Sequence, residues 1–187
     1  MARDIAVIGG SLRTGSLNRL TARALAKLAP DTLLLEIVEI GQLPLYDQDL
    51  DSEPPKTWID FRERIRAADG VLFVTPEYNR SVPAALKNAI DIGSRPYGKS
   101  AWSGKPAGVV SVTPGGLGAF GANHHLRQSL VFLDMPVLQQ PEAYLSNAGS
   151  FFGEDGELTN EGTAKFLTRF IEAYARWVET ILKASAR

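Results

Sequence analysis

Cysteine is absent from the chain, and histidine occurs only as the adjacent pair His124-His125. The first absence excludes disulfides, thiolate nucleophiles, zinc fingers and Cys-ligated iron–sulfur clusters together. The second leaves too little imidazole for a His-rich metal centre, so any redox or metal chemistry must use other groups, and no metal site is assigned. An excess of one charge is also missing. The chain has 20 Lys and Arg against 21 Asp and Glu, a formal net charge of -1, whereas a general nucleic-acid binder needs a basic face to neutralise phosphate. No apolar run is long enough for a membrane span, and the opening run Ile5-Ala6-Val7-Ile8 is too short for a signal segment. These absences predict a cytoplasmic chain with a small-molecule partner, no nucleic acid and no membrane.

The 187 residues, 44% hydrophobic and 22% charged, predict a single domain over 1–187 with a substantial core. Short apolar runs bounded by turn residues predict buried parallel strands over Ile5 to Ile8, Leu33 to Ile40, Val71 to Thr75, Ala107 to Val112 and Pro136 to Leu145. Helical patterns lie between them. Ser16 caps a helix predicted from Leu17 to Leu28, and Trp58, Phe61, Ile65 and Ala68 form the apolar stripe of a second. Ser81-Val82-Pro83 leads into Ala84 to Ile92, a fourth helix is expected from Phe120 to Leu133, and Phe166, Phe170, Tyr174, Trp177 and Ile181 mark the last. Strand and helix alternate from end to end, which implies a doubly wound α/β/α sandwich. Five strands point to the flavodoxin-like version, with a parallel sheet in the order 2-1-3-4-5. Ligands in such folds sit beyond the carboxyl ends of the strands, so the loops after strands one, three and four are the places to look.

Those loops are unusual in composition. The first, from Gly9 to Asn18, runs into a helix N-terminus, where backbone N–H groups, small hydroxyls and the Arg13 cation suit a phosphate. Gly10 and Gly15 have Walker A spacing, but Ser16-Leu17 stand where Lys and Ser/Thr are required, and the dinucleotide pattern G-x-G-x-x-G is missing. A terminal phosphomonoester remains. The second loop, Thr75 to Pro83, has prolines near both ends, and a stiff backbone can hold amides against the edge of a planar heterocycle. The third, Ser111 to Ala122, carries four glycines that permit close backbone approach.

Gly10-Ser11-x-Arg13-x-x-Ser16-x-Asn18, together with Pro76-Glu77-Tyr78-Asn79-x-Ser81-x-Pro83-x-x-Leu86-Lys87-Asn88-x-x-Asp91, resembles the NADPH-dependent FMN reductase family, close to its chromate/quinone reductase branch. Leu126-Arg127 and Pro141-Glu142 extend the resemblance over nearly the whole chain. It implies that Ser11, Arg13, Ser16, Leu17 and Asn18 hold the FMN phosphate. Pro76, Glu77, Tyr78 and Asn79 would border the isoalloxazine, and Ser111 with Gly115-Gly116 would close over the flavin or its ribityl chain. It further implies a homodimer or homotetramer with flavin near the subunit interface. NADPH or NADH would deliver hydride to the flavin and leave, after which a quinone, azo, chromate or flavin acceptor would take the electrons in ping-pong fashion. The cofactor carries that chemistry, so no catalytic side chain is assigned.

Other residues receive blander readings. His124 and His125 face different directions on a helix, which favours capping or surface placement over a shared ligand. Glu77 and Asp91 lack a water-activating partner, and Glu77 is expected to brace its loop. The stripe from Phe166 to Ile181 is core packing. The connection from Gly93 to Lys105, with Tyr97 and Trp102, is expected to carry exposed aromatics at a dimer contact or site rim. Leu43, Pro44, Leu45 and Tyr46 are placed near the site entrance. Two other readings stay open: a flavodoxin-type electron carrier, which usually has a strongly one-signed surface, and a phosphatase using the first loop without flavin.

Overall fold

The computed structural model describes residues 1–185. Five strands, β1 (Arg3–Gly9), β2 (Leu33–Val38), β3 (Gly70–Thr75), β4 (Ala107–Val112) and β5 (Ala143–Leu145), form one parallel sheet in the order β2-β1-β3-β4-β5. The helices are α1 (Leu17–Leu28), α2 (Lys56–Ala67), α3 (Ala84–Gly93), α4 (Phe120–Phe132) and α5 (Glu161–Ser185). This is the flavodoxin-like arrangement expected from the strand and helix pattern. Among the described residues, no helix is long and apolar enough to cross a membrane.

Alternation along each strand divides the core. Ala6 and Ile8 of β1 face α2, α3 and α4, with Trp58, Phe61, Leu86 and Leu126. Ile5 and Val7 face the other way, onto α1 and α5 with Leu25, Phe170 and Tyr174. β3 and β4 are buried along their whole length, as central parallel strands covered on both faces must be. Local signals set the helix starts. The Ser16 side chain accepts from the Arg19 N–H, while Pro55 and Pro83 precede the first residues of α2 and α3, where a missing N–H does no harm.

The structure corrects four expectations. The fifth strand begins at Ala143. Val137 makes an isolated parallel bridge to Ala107, but the chain leaves the ladder before Pro141, which has no N–H to donate. The second strand ends at Val38, two residues early. Trp102 is fully buried: its Nε1 donates to the Ile90 carbonyl at 3.0 Å, and its ring lies 5.9 Å from both Phe61 and Phe73. The connection therefore folds back into the α2/α3 layer, and only Tyr97, 85% exposed, stays on the surface. On α5, Phe170 and Tyr174 reach the core while Phe166, Trp177 and Ile181 lie at its margin, because Leu167, Ile171 and Val178 beside them face the sheet.

Candidate functional site

Register decides what meets at the sheet's carboxyl edge. Gly9 lies opposite Val74, and Thr75 opposite Ser111, so the loops after β1, β3 and β4 leave side by side. The first two loops touch. The Gly10 N–H donates to the Val74 carbonyl at 2.9 Å, and a Cβ at Gly10 would sit 2.8 Å from Cδ of Pro76. That close approach requires glycine.

In the first loop, Ser11, Ser16 and Asn18 are buried while Arg13 is exposed, its Nη2 donating to the Gly15 carbonyl at 3.1 Å. No acidic residue occupies the first turn of α1, so the partial positive charge of the helix N-terminus is not locally neutralised. Leu17 is packed against the α1/α5 core, and what it can offer a ligand is its N–H at the first helical position. One observation makes this more than an ordinary helix entrance. Asn18 Oδ1 is buried without a hydrogen-bond partner among the described residues. A buried unpaired amide oxygen is unfavourable by about 1–3 kcal/mol. An incoming hydroxyl satisfies it, and the amide turned over offers an N–H to a phosphate oxygen instead. Hydroxyls, helix N–H groups, a cation and an unpartnered amide make a donor set that fits the phosphate end of FMN.

The second loop is a tight hairpin. Tyr78 and Ser81 exchange backbone hydrogen bonds of 3.1 and 3.0 Å, with Asn79 and Arg80 between them at φ 51 and 63. Two consecutive left-handed residues define a type I′ turn, which asparagine tolerates well. Pro76 is buried, and Tyr78, Asn79 and Arg80 are exposed. The Glu77 carboxylate turns inward, where it accepts from the Ala122 N–H at 3.1 Å and from Arg80 Nη1 at 3.1 Å. An anion at the start of α4 complements the helix dipole, so Glu77 ties the second loop to the third.

In the third loop, the carbonyls of Thr113 and Gly115 accept from the N–H groups of Ala148 and Asn147, both at 3.0 Å, and Ser146 Oγ donates to the Gly116 carbonyl at 3.0 Å. Gly115 and Gly116 are exposed, whereas Ser111 is fully buried with its hydroxyl directed at the Gly118 carbonyl, 2.6 Å away. Ser111 thus acts on its own loop from behind. The histidines diverge on the surface: His124 Nε2 lies 3.0 Å from the Tyr144 hydroxyl, and His125 Nδ1 3.0 Å from Ser81 Oγ. Burial pushes the Tyr144 phenol up to about 12, helped by the nearby Glu142 carboxylate. Asp91 pairs with Lys87 on α3, apart from Glu77.

The segment from Leu43 to Tyr46, expected near the entrance, is pinned from α3. Asn88 accepts from the Tyr46 N–H at 2.8 Å and donates to the carbonyls of Leu43 and Pro44 at 3.3 and 3.1 Å, and Leu45 is left exposed. Asn123, buried on α4, escaped the sequence reading. Its place on the helix face shared with Leu126 and Leu130, and its four-residue spacing from Arg127, were the signals that could have found it.

Residues 3–150 match the family described as NADPH-dependent FMN reductase. The chain is 63% identical over 177 residues to a quinone reductase of Pseudomonas putida, a match covering 94% of this chain and 95% of that protein. A 2-hydroxy-1,4-benzoquinone reductase of a Burkholderia species is 46% identical over 178 residues, covering 95% and 97%. Among solved structures, FerB, the flavoenzyme NAD(P)H:(acceptor) oxidoreductase of Paracoccus denitrificans, superposes with a TM-score of 0.90 at 41% identity, covering 96% of this chain and 98% of that one.

Proposed function

Because the chain belongs to the NADPH-dependent FMN reductase family, we propose that it is a cytoplasmic NAD(P)H:quinone oxidoreductase whose residues 1–187 form one domain holding FMN where the three loops converge. Bound FMN supplies the redox chemistry, taking a hydride from NAD(P)H and passing electrons to the acceptor. The protein binds and orients. Ser11, Arg13, Ser16, Asn18 and the Leu17 N–H receive the phosphate, and the unpartnered Oδ1 of Asn18 is the observation that carries this reading. Pro76, Tyr78 and Asn79 border the ring with their backbone, Glu77 braces them, and Gly115-Gly116 close the third side with Ser111 behind.

Donor and acceptor use one exposed place in turn, a ping-pong sequence, and an open ring also admits chromate, azo compounds and free flavin. The protein works as a homodimer or homotetramer. Support for this comes from the face between α3 and α4, where a groove of about 560 Å³ begins at Ser81 beside the second loop and ends at the exposed Phe132. Steady-state rates with NADPH varied at several menadione concentrations test the proposal. Parallel double-reciprocal lines, with faster turnover on quinone than on ferricyanide, are expected. Intersecting lines would remove the ping-pong sequence, and negligible NAD(P)H oxidation would return the chain to the class of electron carriers.

A further inference from the structure

A chain of buried polar groups runs behind the third loop. Arg127 Nε donates to Asn123 Oδ1 at 2.9 Å, Asn123 Nδ2 to Ser111 Oγ at 3.1 Å, and Ser111 Oγ to the Gly118 carbonyl at 2.6 Å. Its direction is forced. A guanidinium can only donate, so the Asn123 oxygen faces Arg127 and its NH2 faces Ser111. The serine hydroxyl then keeps its one proton for the nearest carbonyl, that of Gly118. Asn123 and Ser111 are both fully buried, and Arg127 is anchored further by Nη1 to the Leu138 carbonyl at 3.0 Å. Bonds aligned donor to acceptor in a low-dielectric interior reinforce one another.

Gly118 and Ala119 both have left-handed backbone, φ 58 and 56, where the loop turns into α4. For alanine that conformation is unfavourable by about 1 kcal/mol and persists only where the surroundings hold it. The polar chain supplies the hold. A second consequence follows from peptide geometry. With the carbonyls of Gly115, Gly116 and Leu117 bound by Asn147, Ser146 and Phe120, a trans planar peptide turns the N–H groups of Gly116, Leu117 and Gly118 away from those partners. The acceptors of residues 115–117 are thus occupied within the protein, and the Ser111 bond to the Gly118 carbonyl fixes the turn that follows them.

We propose that Asn123 is a positioning residue for the flavin loop: through Ser111 it fixes the Gly118 carbonyl and so the left-handed turn at Gly118 and Ala119 that carries the loop into α4, without touching the ligand itself. The inference rests on the FMN reading of the site. Asn123→Asp tests it best. The aspartate keeps the size and the Arg127 pairing but cannot donate to Ser111, so the serine proton rotates to the carboxylate and releases Gly118.

The experiment titrates purified apoprotein with FMN by flavin fluorescence, alongside thermal unfolding. Asn123→Asp and Ser111→Ala should each raise the FMN Kd about fivefold, the factor commanded by one net hydrogen bond, and the double variant should be no weaker than either single one. Val178→Ala, a core truncation on α5, should lower Tm and leave the Kd unchanged. The proposal is overturned if Asn123→Asp leaves the Kd within twofold, or if it weakens FMN as much in the Ser111→Ala background as in wild type, the signature of simple charge repulsion. Should Asn123→Asp not fold, Ser111→Ala decides alone, and an unchanged Kd refutes the proposal. Wild-type apoprotein that binds no FMN would instead defeat the FMN reading of the site, and this proposal with it.

Discussion

Replacing Gly10 by alanine places one methyl where the first two loops cross. Its Cβ would lie 2.8 Å from Cδ of Pro76, 3.2 Å from Oγ1 of Thr75 and 3.3 Å from Cδ2 of Leu86. Carbon atoms rest at about 3.5–4.0 Å, so Pro76 must retreat by roughly 0.7 Å or more. Its ring is part of the backbone, hence the whole start of the second loop moves. Overpacking of this kind is destabilising by about 1–3 kcal/mol, and at roughly 2–4 °C per kcal/mol for a domain of this size the Tm should fall by about 2–12 °C. A displaced ring-bordering loop should also weaken FMN about tenfold. Differential scanning fluorimetry of the apoprotein reads the first effect, and flavin fluorescence titration the second. The neighbouring Gly9 is the control for stability, since a Cβ there meets nothing within 4 Å, and Gly9→Ala should shift Tm by about 1 °C or less. Equal Tm values for Gly10→Ala and wild type, or equal losses for both alanine variants, would refute the crossing-loop argument.

Glu77→Ala leaves the Ala122 N–H without its acceptor at the start of α4 and should lower stability by about 1–3 kcal/mol in urea titration, whereas Glu77→Gln, which keeps an acceptor oxygen, should recover more than half. Trp102→Ala removes a fully buried indole and its bond to the Ile90 carbonyl and should be destabilising by about 3–5 kcal/mol, while Tyr97→Ala should stay within about 0.5 kcal/mol; similar losses would restore the picture of two exposed aromatics. Acid should destabilise the fold below the ordinary carboxyl value of 4.5, because hydrogen bonding and charge from Arg19 hold Glu39 below it, and those from Arg3 do the same to Glu179. Depressed carboxyls contribute stability above their unfolded pKa and lose it as pH falls through the folded one. Alkali should destabilise above the ordinary tyrosine value of 10.0, since burial raises Tyr174 well above it and Tyr144 to about 12, and the unfolded chain then sheds protons that the folded one keeps. Urea midpoints from pH 3 to 11 should form a plateau between these limits, and a slope through neutrality would contradict the assignment.

What the sequence disclosed depended on how far apart the cooperating residues lie. Ser16 and the helix Leu17–Leu28, or the apolar run Ala107–Val112, are local patterns, and both elements stand where they were read. The three loops were legible because strand alternation alone fixes which connections emerge on the carboxyl edge. Trp102 was misplaced because its burial depends on Phe61 and Phe73, 41 and 29 residues away by subtraction of their numbers. The fifth strand was overextended because apolar character continues through Pro136 and Val137, although Pro141 cannot join the ladder. Within the site, residue types pointed to phosphate and ring contacts, but roles needed coordinates: Glu77 and Ser111 turn inward to hold loops, and Asn123 became visible only once α4 was packed on β4.

The central claim is that the β1–α1 loop receives a phosphate while the other two loops hold a flavin ring. Titrating the apoprotein with FMN and with riboflavin, which differ by that phosphate alone, tests it most directly. FMN should bind at least a hundredfold more tightly, and Asn18→Leu should erase most of the difference while leaving riboflavin binding unchanged. Equal affinities for the two flavins in wild type would contradict the account.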